Sequence, residues 1–136
     1  MPHIIVEYTP NLAEDLDVDT LLDALHETAR ALGVFPRWGT RTLAMPATAA
    51  RVGDRPEAGP ENGHVQIRLT IAPGRPEEVK SRIADELFAA AQKHLEPVAA
   101  RRPVGFQLTL TEFDPTVTRT GGSIAGSPTH RPPLDA

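Results

Sequence analysis

The order strand, helix, strand is written twice into this chain, once from Pro2 to Ala44 and again from Gly63 to Phe113. No other feature restricts the fold as much. In the first half Ile4, Val6 and Tyr8 alternate with His3, Ile5 and Glu7, the two-residue period of a strand. Thr9-Pro10-Asn11 breaks it, and Val18, Leu21, Leu22, Leu25, Ala29 and Leu32 then recur at the helical period. Asp17 is placed as an N-cap and Gly33 as a left-handed C-cap. Phe35-Pro36 ends the helix, and Trp38 to Ala44 is expected as the second strand, with Arg41 near its middle.

The second half repeats the scheme, and Pro2-His3-Ile4-Ile5-Val6 is echoed by Gly63-His64-Val65-Gln66-Ile67. Val65, Ile67, Leu69 and Ile71 alternate with polar neighbours, Pro73-Gly74 turns the chain, and Pro76 is expected as the first residue of a second helix. Its apolar stripe runs through Val79, Ile83, Leu87, Phe88, Ala91 and Leu95, and Pro97 is expected to stop it. Phe106, Leu108 and Leu110 mark the fourth strand. Each half is then a crossover between parallel strands. The expected fold is α+β: two β-α-β units forming a four-stranded mixed sheet with two helices on one face. Between the halves, prolines 46, 56 and 60 and glycines 53, 59 and 63 mark a long surface connection.

A chain of 136 residues suits one domain, here expected over 1–115, followed by a flexible Pro/Gly-rich tail over 116–136. That tail has too few apolar side chains to build a core. With no cysteine there is no disulfide, thiolate metal site or cysteine nucleophile. The five histidines lack metal-ligand spacing, so no metal is expected, and no nucleotide loop or nucleophile elbow is found. A net charge of −4 offers no general attraction to nucleic acid or to an anionic membrane. Without an apolar run of about 18 residues or a signal segment, a cytoplasmic protein is expected.

One position stands out chemically. Removal of Met1 would leave Pro2 with a free secondary amine at the start of a buried strand, a general base if its pKa falls near neutrality. Taken alone, a proline there reads first as a rigid strand start. Three further pieces join it in order: Gly33-Val34-Phe35-Pro36 with Gly39 and Arg41, the strand Val65 to Ile71, and Gly74-Arg75. Together they resemble the tautomerase superfamily, most closely its 5-carboxymethyl-2-hydroxymuconate isomerases, over Pro2 to Thr116.

The resemblance implies a cofactor-independent isomerase acting on an unsaturated 2-hydroxy or 2-oxo carboxylate. In it Pro2 is the base, and Arg41 and Arg75 hold carboxylates of a small-molecule substrate. His3, Phe35 and Trp38 are candidates for the pocket wall, and Arg37 is a nearby rival to Arg41 that matches nothing in the family. The resemblance also implies a homotrimer, formed by the sheet face that the helices leave uncovered. Decarboxylases and dehalogenating hydratases of the same superfamily use the same terminal proline. A trimeric module that only binds a partner is the reading outside catalysis.

Overall fold

The computed structural model describes residues 1–128; the part of the expected tail beyond them, including His130 and Arg131-Pro132-Pro133, lies outside the described residues. Four strands and two helices follow one another as β1 (His3–Tyr8), α1 (Val18–Ala31), β2 (Arg41–Pro46), β3 (Gly63–Ile71), α2 (Glu77–Ala99) and β4 (Val104–Glu112). Short 3-10 turns occupy Pro10–Leu12 and Arg37–Gly39. The strand order is β2-β1-β3-β4. β1 runs parallel to β2 and β3 parallel to β4, while β1 and β3 pair antiparallel in the centre. This is the expected mixed sheet of two β-α-β units, joined by their first strands.

Alternation decides which face is covered. Ile4 and Val6 of β1, with Val65, Ile67, Leu69 and Ile71 of β3, are almost wholly buried. They share one core with Leu21, Leu25 and Ala29 of α1 and Ile83, Leu87, Ala91 and Leu95 of α2. The partners at odd register, such as Ile5 opposite Arg68 and Glu7 opposite Gln66, lie on the other face, which no helix covers. There Arg68 reaches Glu7 at 2.9 Å, and the apolar Leu43 and Met45 of β2 remain half exposed.

The caps of α1 form as the sequence indicates: Asp17 Oδ1 accepts from the Thr20 amide at 3.1 Å, and Gly33 takes φ +71°. Three boundaries differ from expectation. Trp38 is not in a strand, because β2 can begin only where β1 offers a partner, at the Arg41 amide donating to the Pro2 carbonyl at 3.0 Å. Arg41 therefore opens β2 instead of lying near its middle. Pro76 is extended, with ψ 155°, and caps α2 from outside. Pro97 does not stop α2, which runs on to Ala99. So near the end the proline forfeits one backbone bond, while burial of Val98 and the Ala100 amide donating to the Glu96 carbonyl at 2.9 Å hold the last turn.

Candidate functional site

Because β1 and β3 are antiparallel, the starts of β1 and β2 and the ends of β3 and β4 all lie at one edge of the sheet. This topology brings together residues far apart in the chain. The N-terminus enters there, Arg41 opens β2, and Arg75 sits in the turn between β3 and α2. Pro2 is buried at the start of β1, and Met1, His3, Arg41 and Arg75 are half-buried around it.

Met1 carries the α-amine of the described chain, and Gly39 makes room for it. A Cβ built on Gly39 would come within 2.3 Å of the Met1 nitrogen, a distance that real contacts do not reach. The amine is held below its usual pKa, first by burial and then by the positive charges of Arg41 and Arg75. Both effects disfavour the ammonium form, as expected for a desolvated amine beside like charge.

Arg41 Nη1 is hydrogen-bonded to His3 Nε2, its register partner on the uncovered face, and also approaches Met1 Sδ at 3.9 Å. Burial, Arg41 and the terminal amine, in that order, depress the His3 pKa. A neutral ring can accept the guanidinium proton at Nε2, so the remaining proton sits on Nδ1. Arg75 is fixed differently. Its Nη2 donates to the Val34 carbonyl at 2.7 Å and its Nη1 to the Ala72 carbonyl at 3.2 Å, while the guanidinium carbon lies 4.9 Å from the centre of the Phe35 ring. Phe35 is thus the floor under Arg75.

Among the described residues neither Arg41 nor Arg75 is in an ion pair, although both are half-buried. The nearby carboxylate of Glu112, at the end of β4, is engaged elsewhere. Lys80 Nζ reaches it at 2.8 Å, and that hydrogen bond holds the Glu112 pKa below the usual range, with a smaller contribution from the Gly74 amide. Arg75 makes no ion pair with Glu112 and feels it only through a weaker electrostatic attraction that also lowers the Glu112 pKa, so two guanidinium groups whose direct hydrogen-bond partners are uncharged lie beside one amine. Such an arrangement attracts a carboxylate and disfavours a proton on the amine.

Of the other pocket candidates, Trp38 stands half-buried in the turn before β2, and Arg37 beside it is exposed. Gly39, Val34, Lys80 and Glu112 take part in this end of the molecule without having been assigned a role from the sequence. For Gly39 a signal existed, its place in Phe35-Pro36-x-x-Gly39-x-Arg41; for the Val34 carbonyl and the Lys80–Glu112 pair there was none, since they matter only through the fold.

Comparison with known proteins agrees with this architecture. Residues 2–126 match the model of the 5-carboxymethyl-2-hydroxymuconate isomerase family. A 5-carboxymethyl-2-hydroxymuconate Delta-isomerase of Escherichia coli is 26% identical over 117 residues, covering 86% of this chain and 90% of that protein. A crystal structure of a 5-carboxymethyl-2-hydroxymuconate delta-isomerase is similar with TM-score 0.85 and 28% identity, covering 91% of this chain and 90% of the other. A second, of a 5-carboxymethyl-2-hydroxymuconate isomerase from Deinococcus radiodurans R1, gives TM-score 0.79 and 32% identity over 88% and 87%. The chain therefore belongs to the 5-carboxymethyl-2-hydroxymuconate isomerase family and is an isomerase of tautomerase fold.

Proposed function

We propose that the protein is a cofactor-independent isomerase of unsaturated 2-hydroxy or 2-oxo di- and tricarboxylates, with 5-carboxymethyl-2-hydroxymuconate as the substrate. The observation that carries this reading is geometric: the sheet topology brings the N-terminus, Arg41 and Arg75 to one end of the molecule, with both arginines half-buried and in no ion pair among the described residues. Removal of Met1 would empty the space over Gly39 and leave the secondary amine of Pro2 within about 4 Å of the present one, since neighbouring Cα atoms are 3.8 Å apart. Pro2 is then the general base and Arg41 and Arg75 are the carboxylate ligands.

The chemistry balances without any added reagent. The neutral Pro2 amine accepts the proton of the substrate 2-hydroxyl, the freed electron pair becomes the C2 carbonyl, and the double bonds shift along the chain. The prolinium then returns its proton to the distal carbon. Charge accumulates on the oxygen and the extended carbon system between these steps, where the two guanidinium groups stabilise it. A reference α-amine has a pKa near 8, so only a modest depression is needed for a neutral base at pH 7.

The uncovered sheet face supports a homotrimer. Leu43 and Met45 are half exposed there, and closed symmetry would bury them. Sedimentation should give a particle of about 44 kDa from the 14.7 kDa chain; a monomer at micromolar concentration contradicts the proposal. For the activity, mass spectrometry establishes whether Met1 is absent, and the ultraviolet change of the dienol is then followed with 5-carboxymethyl-2-hydroxymuconate. Absence of isomerisation by a chain that begins at Pro2 would overturn the assignment.

A further inference from the structure

β4 is the edge strand farthest from β2, and it finishes at the same end of the strands as the amine, Arg41 and Arg75. The chain beyond it stays at that end. The Phe113 amide donates to the Ile71 carbonyl at 3.0 Å, and Asp114 then builds a tight turn. Its Oδ1 accepts from the Thr116 amide at 2.9 Å and from the Thr116 hydroxyl at 2.7 Å, while its carbonyl accepts from the Thr118 hydroxyl at 2.7 Å. Arg119 Nη1 donates back to the Thr116 carbonyl at 3.0 Å. Farther along, the segment meets Trp38: a Cβ built on Gly126 would be 3.5 Å from Trp38 Cβ. Trp38 adjoins Gly39, the residue against which the terminal amine rests.

The two fixed points of this segment thus lie at opposite edges of the sheet. Three strand spacings separate the edges, roughly 14 Å, whereas the twelve residues between Phe113 and Gly126 can span up to about 40 Å. The segment has slack to arch. We propose that residues 113–126 form a strap across the mouth of the site, anchored by the Phe113 amide on Ile71 at one end and by Gly126 on Trp38 at the other, which closes over a bound carboxylate. This inference rests on the site assigned above. It adds that the far end of the family match, Gly126, belongs to the pocket rather than to a loose tail.

Trp38 is the sole tryptophan, so its fluorescence reads the strap directly. Two variants of the chain lacking Met1 test the proposal, one ending at Thr116 and one carrying Gly126→Val, which places a β-branched residue at φ +88°. Circular dichroism checks that each is folded, and 2-oxoglutarate serves as a dicarboxylate probe that cannot undergo the dienol shift. Relative to wild type, both variants should shift Trp38 emission to longer wavelength, admit acrylamide quenching more readily and bind 2-oxoglutarate on the order of 3- to 30-fold more weakly. Unchanged quenching, or probe binding that is equal to wild type or absent in all three proteins, overturns the strap, as does dissociation of the assembly on truncation. Neither readout needs turnover. Altered quenching and binding without isomerase activity would leave the strap standing and remove the assigned reaction.

Discussion

The two ends of the sheet treat their arginines in opposite ways. At the end where β3 and β4 begin, Arg102 is largely buried and committed through its two terminal nitrogens: Nη1 reaches Asp15 Oδ2 at 3.1 Å and the Asn11 carbonyl at 2.7 Å, and Nη2 reaches the Glu61 carbonyl at 2.8 Å, while Nε is left without a partner among the described residues. Close by, Arg55 pairs with Glu61 at 3.4 Å beside a cavity of about 320 Å³ lined by Thr9, Asn11, Arg51 and Arg55. At the other end Arg41 and Arg75 directly touch an imidazole, a thioether, carbonyls and an aromatic ring, and the Glu112 carboxylate, paired with Lys80, acts on Arg75 only at longer range. A guanidinium neutralised by a carboxylate ties the chain together. One left with neutral partners retains its charge for an anion from solution, and depresses any amine beside it.

The largest effect should come from breaking the unpaired end. Arg75→Ala and Arg41→Ala, each in a chain beginning at Pro2, should lower kcat/KM on 5-carboxymethyl-2-hydroxymuconate by on the order of 10- to 1000-fold through loss of a charge-assisted carboxylate contact. Thermal unfolding should change little in both. If both variants turn over like the wild type, the contrast between the ends has no functional meaning.

The paired end should answer in stability instead. Arg102→Ala leaves the Asn11 and Glu61 carbonyls and the Asp15 carboxylate without their shared donor, and a loss of about 1–3 kcal/mol is expected in denaturant unfolding. kcat/KM should remain within about twofold of wild type, because Arg102 lies at the opposite end of the sheet from the amine, Arg41 and Arg75, so that its loss forfeits no transition-state contact. A tenfold loss of activity with unchanged stability would reverse the assignment of the two ends.

How far this contrast could be read beforehand depends on the range of the interactions. The strands, helices and their covered faces follow from local periodicity, so Ile4, Val6, Leu21, Leu25, Ile67 and Leu87 fall in the core as the pattern indicates. The N-terminal proline, Arg41 and Arg75 were singled out by the spacing they share with a family. The antiparallel pairing of β1 with β3, which gathers these residues at one edge, is not encoded in any local pattern. Trp38 was misplaced for the same kind of reason: its residue type favours a strand, but no partner strand extends opposite it. Pro97 is tolerated because it falls in the last turn of α2, which burial of Val98 holds, and that packing is invisible to a local proline rule. The neutral surroundings of Arg75 rest on the Val34 carbonyl, 41 residues away in sequence, and on Lys80 engaging Glu112.

The smallest effect distinguishes the two arginines of the unpaired end from each other. Burial contributes most to the low pKa of the Met1 amine, Arg41 next and Arg75 least, and the Pro2 amine exposed by loss of Met1 would face the same two arginines. The proposed Pro2 base must be neutral to act, so kcat/KM should fall on the acidic side as that amine takes up a proton. Removing a neighbouring positive charge makes protonation easier and raises the pKa, which moves the acidic limb to higher pH. Arg41→Ala should therefore displace the limb further than Arg75→Ala, and Arg102→Ala should not displace it. The wild-type limb should itself move to higher pH as salt is raised, because salt screens the repulsion from the two arginines and leaves burial unchanged. The measurement is kcat/KM against pH for the four proteins at low and high ionic strength. A limb that moves equally in all variants, or that moves to lower pH in Arg41→Ala, would mean that the titrating group is not the amine beside Arg41.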